Sequence, residues 1–333
     1  MRTVFLGSDP IALPLLDWLA DGEGRAHAQL AAVYTQPDRP VGRGQKIQPN
    51  AIKAWALARN LPVFQPEKLT PAARGEFAAL APDLALVMAY GHILRDDFIA
   101  TPRFGTLNLH ASLLPAWRGA SPIQTAIASG GRETGVSLMR IVRQLDAGPV
   151  ADVERVAIAP LDTALDVEQK LAAACVPLLA RALPRLREGA LSFTPQDDAN
   201  ASYCRRLVKS DGALDFREPA ATLAARINGL YPWPACSVEI NDQPVKFGLA
   251  GVLDGENAAA PTMPAPGEVL PPASDTLHIA TGAGILHILR LQRPGGKMLP
   301  ASDFLRGFPI HPGTILPSTA MPSLAAEPRG SGK

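Results

Sequence analysis

From Thr3 to about Ile141, short and almost wholly apolar runs alternate with segments of helical period, and no other feature of this 333-residue chain limits its fold so tightly. The runs at 3–6, 31–35, 84–89, 105–110 and 135–141 predict strands, and the intervening patterns at 12–20, 50–59, 72–80 and 122–128 predict helices. Strands apolar on both faces need cover on both faces, so the expected fold class is α/β, with a Rossmann-like N-terminal domain built on a mostly parallel sheet. Asn50 stands where its side chain would cap the second helix.

A longer helix is predicted over 163–188, opened by Thr163 and Asp166 in capping-box spacing. Pro177 and Pro184 should bend or interrupt it, because proline lacks the N–H and crowds the preceding turn. The small, polar stretch 194–202 reads as a linker. Beyond it, one helix over 219–228 precedes short strand-like runs at 236–240, 244–249, 268–270, 276–280 and 285–292, the texture of a small β-barrel of the OB type. These signals divide the chain into 1–190, a linker over 191–206, a barrel over 207–317, and a tail over 318–333 too poor in apolar residues to order itself. Trp233, set between two prolines, is expected to anchor packing at the domain junction, and His278 and His287 to be ordinary strand residues.

Lys plus Arg number 32 against 31 Asp plus Glu, a net charge of +1, so bulk charge argues for no nucleic-acid partner and any basic footprint must be local. The three cysteines lack the paired spacing of a zinc site and fit a reducing compartment. The opening run Met1 to Ser8 is too short for a secretory signal, and no apolar run reaches the roughly 20 residues that span a bilayer. The expectation is a cytoplasmic protein without membrane contact.

The densest chemistry lies in residues 105–124. On a strand, Asn108 and His110 share one face while Leu107 and Leu109 share the other, and both polar groups fall at the strand's C-terminal end, the edge where open α/β sheets bind ligands. An amide donor beside an imidazole suits an oxyanion forming in acyl transfer. The plainer alternative is a capped turn beside a buried, satisfied histidine. Asp146, in the turn Gln144-Leu145-Asp146-Ala147-Gly148-Pro149, would lie near His110 if the two strand ends are neighbours, and its carboxylate would then orient the imidazole and favour its charged form.

Asn108, His110, Ser112 to Pro115 and Trp117 to Gly119, together with Leu145 to Gly148, resemble the folate-dependent formyltransferases. The likeness extends to Val4 to Ser8, to the loop from Thr35 to Gly44, to Val63 to Pro66, to Ala89 to Gly91, and to Tyr231 to Pro234 and Ala280 to Gly282. Ala147 departs from the family's threonine, and the chain after Pro312 matches no family pattern. The resemblance implies a formyltransferase catalytic domain over 1–190 and a tRNA-binding barrel over 207–317. It implies 10-formyltetrahydrofolate as formyl donor, no metal, and methionyl-initiator tRNA as acceptor. Asn108, His110 and Asp146 would be catalytic, and Ser112, Leu113, Leu114 and Pro115 would line the folate site, the leucines packing on its rings and the turn offering backbone polar groups. The protein is expected to be a monomer.

Residues 36–46 carry Arg39, Arg43 and Lys46 among glycines and prolines, without the Gly-Lys-Ser/Thr of a phosphate loop. By composition this is a solvated loop; by the resemblance it meets the tRNA acceptor stem. Lys209, Arg226, Lys246, Arg290, Arg293 and Lys297 are candidates for a further nucleic-acid surface. The rival readings are a sugar-nucleotide N-formyltransferase sharing the trio and donor, and a non-catalytic RNA-binding protein on the same scaffold; a basic Gly-rich loop is what a small acceptor would not need.

Overall fold

The computed structural model describes residues 1–41, 44–253, 264–271 and 276–327. The chain forms two compact units, the first made of Met1–Arg118, Gly135–Val156 and Glu168–Ala201, the second of Gly119–Thr134, Ala157–Val167 and Ser202–Lys333.

The first unit holds a seven-stranded sheet in the spatial order Val150–Ala157, Glu133–Arg140, Thr106–His110, Leu84–Met88, Arg2–Gly7, Gln29–Tyr34 and Val63–Phe64. Arg2–Gly7 runs parallel to both of its neighbours, and Leu84–Met88 is parallel to Thr106–His110. Glu133–Arg140 is antiparallel to Thr106–His110. The sheet is therefore mostly parallel, and its central strands are apolar because they are covered on both faces: Val4, Phe5, Leu6, Leu84, Leu86 and Leu107 are fully buried. Val150–Ala157 was not anticipated. As an edge strand it is only half covered, so Asp152, Glu154 and Arg155 replace the apolar run that marks its neighbours.

Asn50 caps the helix Ala51–Leu57, its side chain accepting from the Lys53 N–H at 3.0 Å. Asp166 accepts from both the N–H and the hydroxyl of Thr163 at the start of the helix Ala164–Arg187. That helix is continuous, and neither Pro177 nor Pro184 interrupts it as expected. The bonds two prolines remove are outweighed by a fully packed stripe in which Leu171, Cys175, Leu178, Leu179 and Leu183 are at most 1% exposed. The stretch read as a linker is tied down as well: Thr194 exchanges two backbone hydrogen bonds with Val150, at 2.8 and 2.9 Å.

The second unit carries an antiparallel sheet in the order Cys236–Ile240, Gln243–Leu253, Ile285–Gln292, Leu277–Ala280, with Leu299–Pro300 also paired to Ile285–Gln292. It is a half barrel. The ladder shifts register around Gly248, where a Cβ would lie 2.5 Å from Met298 Sδ, so glycine lets the strand bend against that side chain. Residues 268–270 contribute isolated bridges rather than a strand. The helix Ala220–Leu230 packs on the sheet, and Asn228 exchanges two 2.8 Å hydrogen bonds with the backbone of Ala250. The helix Pro122–Ala128 lies close against it at Gly229, where a Cβ would come within 2.6 Å of the Ala128 nitrogen.

Three further expectations are corrected here. Trp233 is 55% exposed and anchors no core. Arg226 is 7% exposed and donates to the carbonyls of Asp211 and Pro322, so it braces the fold instead of offering charge to a partner. The tail is ordered as far as residue 327, because it borrows order from the unit it crosses: Leu324 is 6% exposed, the Thr319 N–H donates to Leu214 O, and Ala325 bridges Cys204. Residues 328–333 lie outside the described residues.

No helix among the described residues is long and apolar enough to cross a membrane. Cys175, Cys204 and Cys236 are buried free thiols, and burial pushes the first and last up to about 12, which removes them as nucleophiles.

Candidate active site

The strand Thr106–His110 alternates as its sequence requires: Leu107 and Leu109 are 0% and 2% exposed, while Asn108 and His110 share the other face. Among the described residues the Asn108 carboxamide has no hydrogen-bond partner, which leaves its N–H groups available to a ligand. His110 is 6% exposed, and its Nε2–H donates to the Trp117 carbonyl at 3.0 Å. That bond fixes the ring and leaves Nδ1 as the nitrogen able to exchange a proton.

Asp146 Oδ2 lies 3.8 Å from His110 Nδ1, so the three residues singled out from sequence are gathered in one place. The route differs from the expected one. Because Glu133–Arg140 is antiparallel, Ser137 stands beside His110 and Arg140 beside Leu107, and the turn after Arg140 leaves from the far end of the ladder. It then folds back toward His110. Three local features make the return. Asp146 takes a left-handed φ of 51°, which an aspartate tolerates better than most residues. Gly148 packs so tightly that a Cβ would sit 1.8 Å from Arg140 O, so only glycine fits. Gln196 Nε2 donates to the carbonyls of Asp146 and Gly148 at 2.8 and 2.7 Å. Ala147 thus sits in a turn pinned by backbone contacts on both sides of it.

Gln196 is in turn oriented by Arg118, 2% exposed, whose Nε donates to Gln196 Oε1 at 3.0 Å and whose guanidinium pairs with Asp198 at 2.7 Å. Gln196 and the Trp117 carbonyl are the support that the sequence did not give away. Gln196 lies 50 residues from its partner in a stretch of turn-forming composition, and a backbone carbonyl carries no residue signal at all. At 3.8 Å Asp146 Oδ2 is beyond hydrogen-bond length from His110 Nδ1, so the hydrogen bond that holds the ring is the one to the Trp117 carbonyl.

The turn from Ser112 to Pro115 follows His110 directly. Some of its polar groups are tied within the protein: Ser112 Oγ donates to Ala116 O at 2.6 Å, and Ser137 Oγ bridges the Ser112 carbonyl and the Leu114 N–H at 2.7 and 3.0 Å. Beside them stand the half-buried side chains of Leu113, Leu114 and Pro115, with Leu113 leaning on the backbone of Gly135.

The basic loop is a hairpin, Arg39–Val41 paired antiparallel with Lys46–Gln48. Arg39 and Lys46 are exposed, as is Ile47 at 71%. Arg43 lies outside the described residues. Among the described residues no group of three or more His, Cys, Asp or Glu is gathered to hold a metal.

Residues 1–183 match the family model for formyl transferases, and residues 206–309 match that for the formyl transferase C-terminal domain. Two relatives, both described as methionyl-tRNA formyltransferases, come from Pseudomonas putida strain GB-1 and Methylococcus capsulatus. The first is 42% identical over 304 residues, 91% of this chain and 94% of its own. The second is 42% identical over 307 residues, 92% of this chain and 96% of its own. In three dimensions the chain is similar to the N-formyltransferase of Helicobacter canadensis, solved with folinic acid and dTDP-3-aminofucose, with a TM-score of 0.64, 17% identity, and coverage of 88% of this chain and 99% of that one. At that identity the likeness speaks for the fold.

Proposed function

The chain belongs to the formyl transferase family, and from that premise we propose that it moves the formyl group of 10-formyltetrahydrofolate onto the amino group of methionine esterified to initiator tRNA. The relatives that match nearly end to end carry that activity in their names. The geometric observation that carries the reading is the 3.8 Å approach of Asp146 to a buried His110 beside Asn108, whose carboxamide has no partner among the described residues.

The donor supplies a formyl carbon on a nitrogen that departs readily as an amine. The apolar surface of Leu113, Leu114 and Pro115, next to His110, fits the rings of such a molecule. Asn108 donates an N–H to the formyl oxygen as it gains negative charge. His110, held at Nε2 by Trp117, works through Nδ1: protonated there it donates to the same oxygen, and neutral it accepts the proton that the attacking amine must lose. Asp146, 3.8 Å from Nδ1, helps to relay that proton to the folate nitrogen. A carbon–nitrogen bond forms to the amine, the bond to the folate nitrogen breaks, and the amine's proton ends on that nitrogen. No residue of the chain is acylated, in keeping with buried thiols held at about 12.

In this reading residues 1–190 catalyse, Arg39 and Lys46 on the hairpin meet the acceptor stem together with Arg43, and the C-terminal half barrel over 207–317 serves as an OB-like RNA surface. The exposed Lys209, Lys246, Arg290, Arg293 and Lys297 supply its charge. The enzyme works as a cytoplasmic monomer. The test offers labelled 10-formyltetrahydrofolate with methionyl-initiator tRNA and, separately, with amino-sugar nucleotides. Label is expected on the tRNA alone, and label on the sugar alone would overturn the acceptor assignment.

A further inference from the structure

The basic hairpin stands on a polar clamp. Asp38, one residue before its first strand, accepts from Lys53 Nζ at 2.6 Å and from Gln65 Nε2 at 2.8 Å. Gln65 Nε2 also donates to Gln36 O at 2.8 Å, and Asn50 Nδ2 donates to Gln36 O and to Thr35 Oγ1 at 3.1 and 2.9 Å. Ser8 Oγ accepts from the Gln36 N–H at 3.0 Å, and Gln36 Nε2 donates to Tyr90 O at 3.1 Å. Lys53 belongs to the helix Ala51–Leu57, Gln65 follows the strand Val63–Phe64, and Tyr90 follows Leu84–Met88, the strand beside the one bearing Asn108 and His110. With Ser8, which follows the strand Arg2–Gly7, four separate elements thus converge on the four residues that precede the hairpin.

The clamp sits oddly with simple charge attraction. A carboxylate at the base of a hairpin meant to meet phosphates repels them, and Asp38 and Lys53 cancel each other's charge while both remain about a quarter exposed, at 25% and 22%. Hydrogen bonds from Gln65 and Lys53 hold the Asp38 carboxyl below the usual carboxylate range, so it stays ionised and bonded. A conformational role accounts for what an electrostatic one does not. We propose that Asp38, through Lys53 and Gln65, is a positioning residue for acceptor binding: it fixes the direction in which the hairpin presents Arg39 and Lys46 to the RNA. This inference rests on the tRNA reading of the hairpin.

Charge and position make opposite predictions, which makes the test sharp. Asp38→Asn removes a negative charge and Lys53→Met removes a positive one. If the pair acted by charge, the first would tighten tRNA and the second weaken it. As a clamp, both weaken it. Steady-state kinetics of the full chain with methionyl-initiator tRNA are expected to show the KM for tRNA raised about tenfold in each variant, the size of one lost charge-assisted hydrogen bond. The KM for folate and kcat at saturating tRNA should stay within about twofold, and Asp38→Glu should recover part of the loss. A lowered or unchanged tRNA KM in Asp38→Asn overturns the clamp while leaving the tRNA reading intact. A folate KM that rises in step with the tRNA KM marks general damage and also overturns it. Wild-type protein that does not formylate charged tRNA sinks the tRNA reading, and the clamp with it.

Discussion

The candidate active-site rim and the basic hairpin belong to the same unit, yet they are built in opposite ways. At the rim His110 is buried and held by the Trp117 carbonyl, and the Asp146 turn is held by Gly148 against Arg140 and by the Gln196 side chain. In the hairpin the charged ends are exposed and only the root is fastened, through Asp38, Gln36 and Asn50. On the proposed function, the difference follows from two tasks. A reacting carbon tolerates almost no displacement, so its partners sit where packing allows one arrangement. A phosphate backbone is met by long cationic side chains that adjust, and only their common direction needs fixing.

The contrast breaks most visibly if rim substitutions behave like surface ones. His110→Ala and Asn108→Ala should each lower kcat by roughly 10²–10⁴-fold, the span for losing a general acid–base group or an oxyanion donor, with the unfolding midpoint little changed. Turnover within about tenfold of wild type in either would return that residue to a structural role. Arg43→Ala should show the reverse signature. It is expected to raise the KM for tRNA by about tenfold and steepen no folate parameter, and raising salt should narrow the gap to wild type, as loss of a phosphate contact requires. Equal effects on both substrates would mean that the hairpin is part of the rim.

The smallest effect separates chemistry from folding. His278 and His287 pair across two strands of the half barrel with ring centroids 5.1 Å apart, and His287 Nε2 is buried without a partner among the described residues. Burial lowers both below the ordinary 6.5, and in His278 the neighbouring ring adds to it. A histidine with a depressed folded-state value contributes stability that is complete above about pH 6.5 and is lost as pH falls below it. Denaturant unfolding at pH 7.5 and 5.5 should therefore show a stability loss on acidification that His278→Gln reduces, while kcat at pH 7.5 is untouched. An unchanged acid sensitivity in that variant would remove the pair as its cause.

How much of this was legible in the residues divides along the same line. The parallel strands were plain because two covered faces demand apolar runs, and Asn108 with His110 followed from a two-residue period. The edge strand Val150–Ala157 was hidden by its charged half-covered face. Asp146 was found, but the sheet-edge argument sent it by the wrong path, since the antiparallel strand before it points away and only a left-handed aspartate and a glycine pressed on Arg140 bring the turn back. Prolines inside Ala164–Arg187 and the poor composition of the tail misled for one shared reason: local propensity yields where Leu178 or Leu324 is buried by the rest of the unit. Gln196, Trp117 O and the Asp38 clamp were invisible because they depend on which distant segments meet.

The claim beneath the whole account is that Asp146, 3.8 Å from His110 Nδ1, works with the imidazole on the reacting atoms. Single-turnover formyl transfer by Asp146→Asn, with both substrates saturating, tests it directly. The account predicts a rate lower by about 10² or more, with donor and tRNA affinities within about twofold of wild type. A near-normal rate would contradict it.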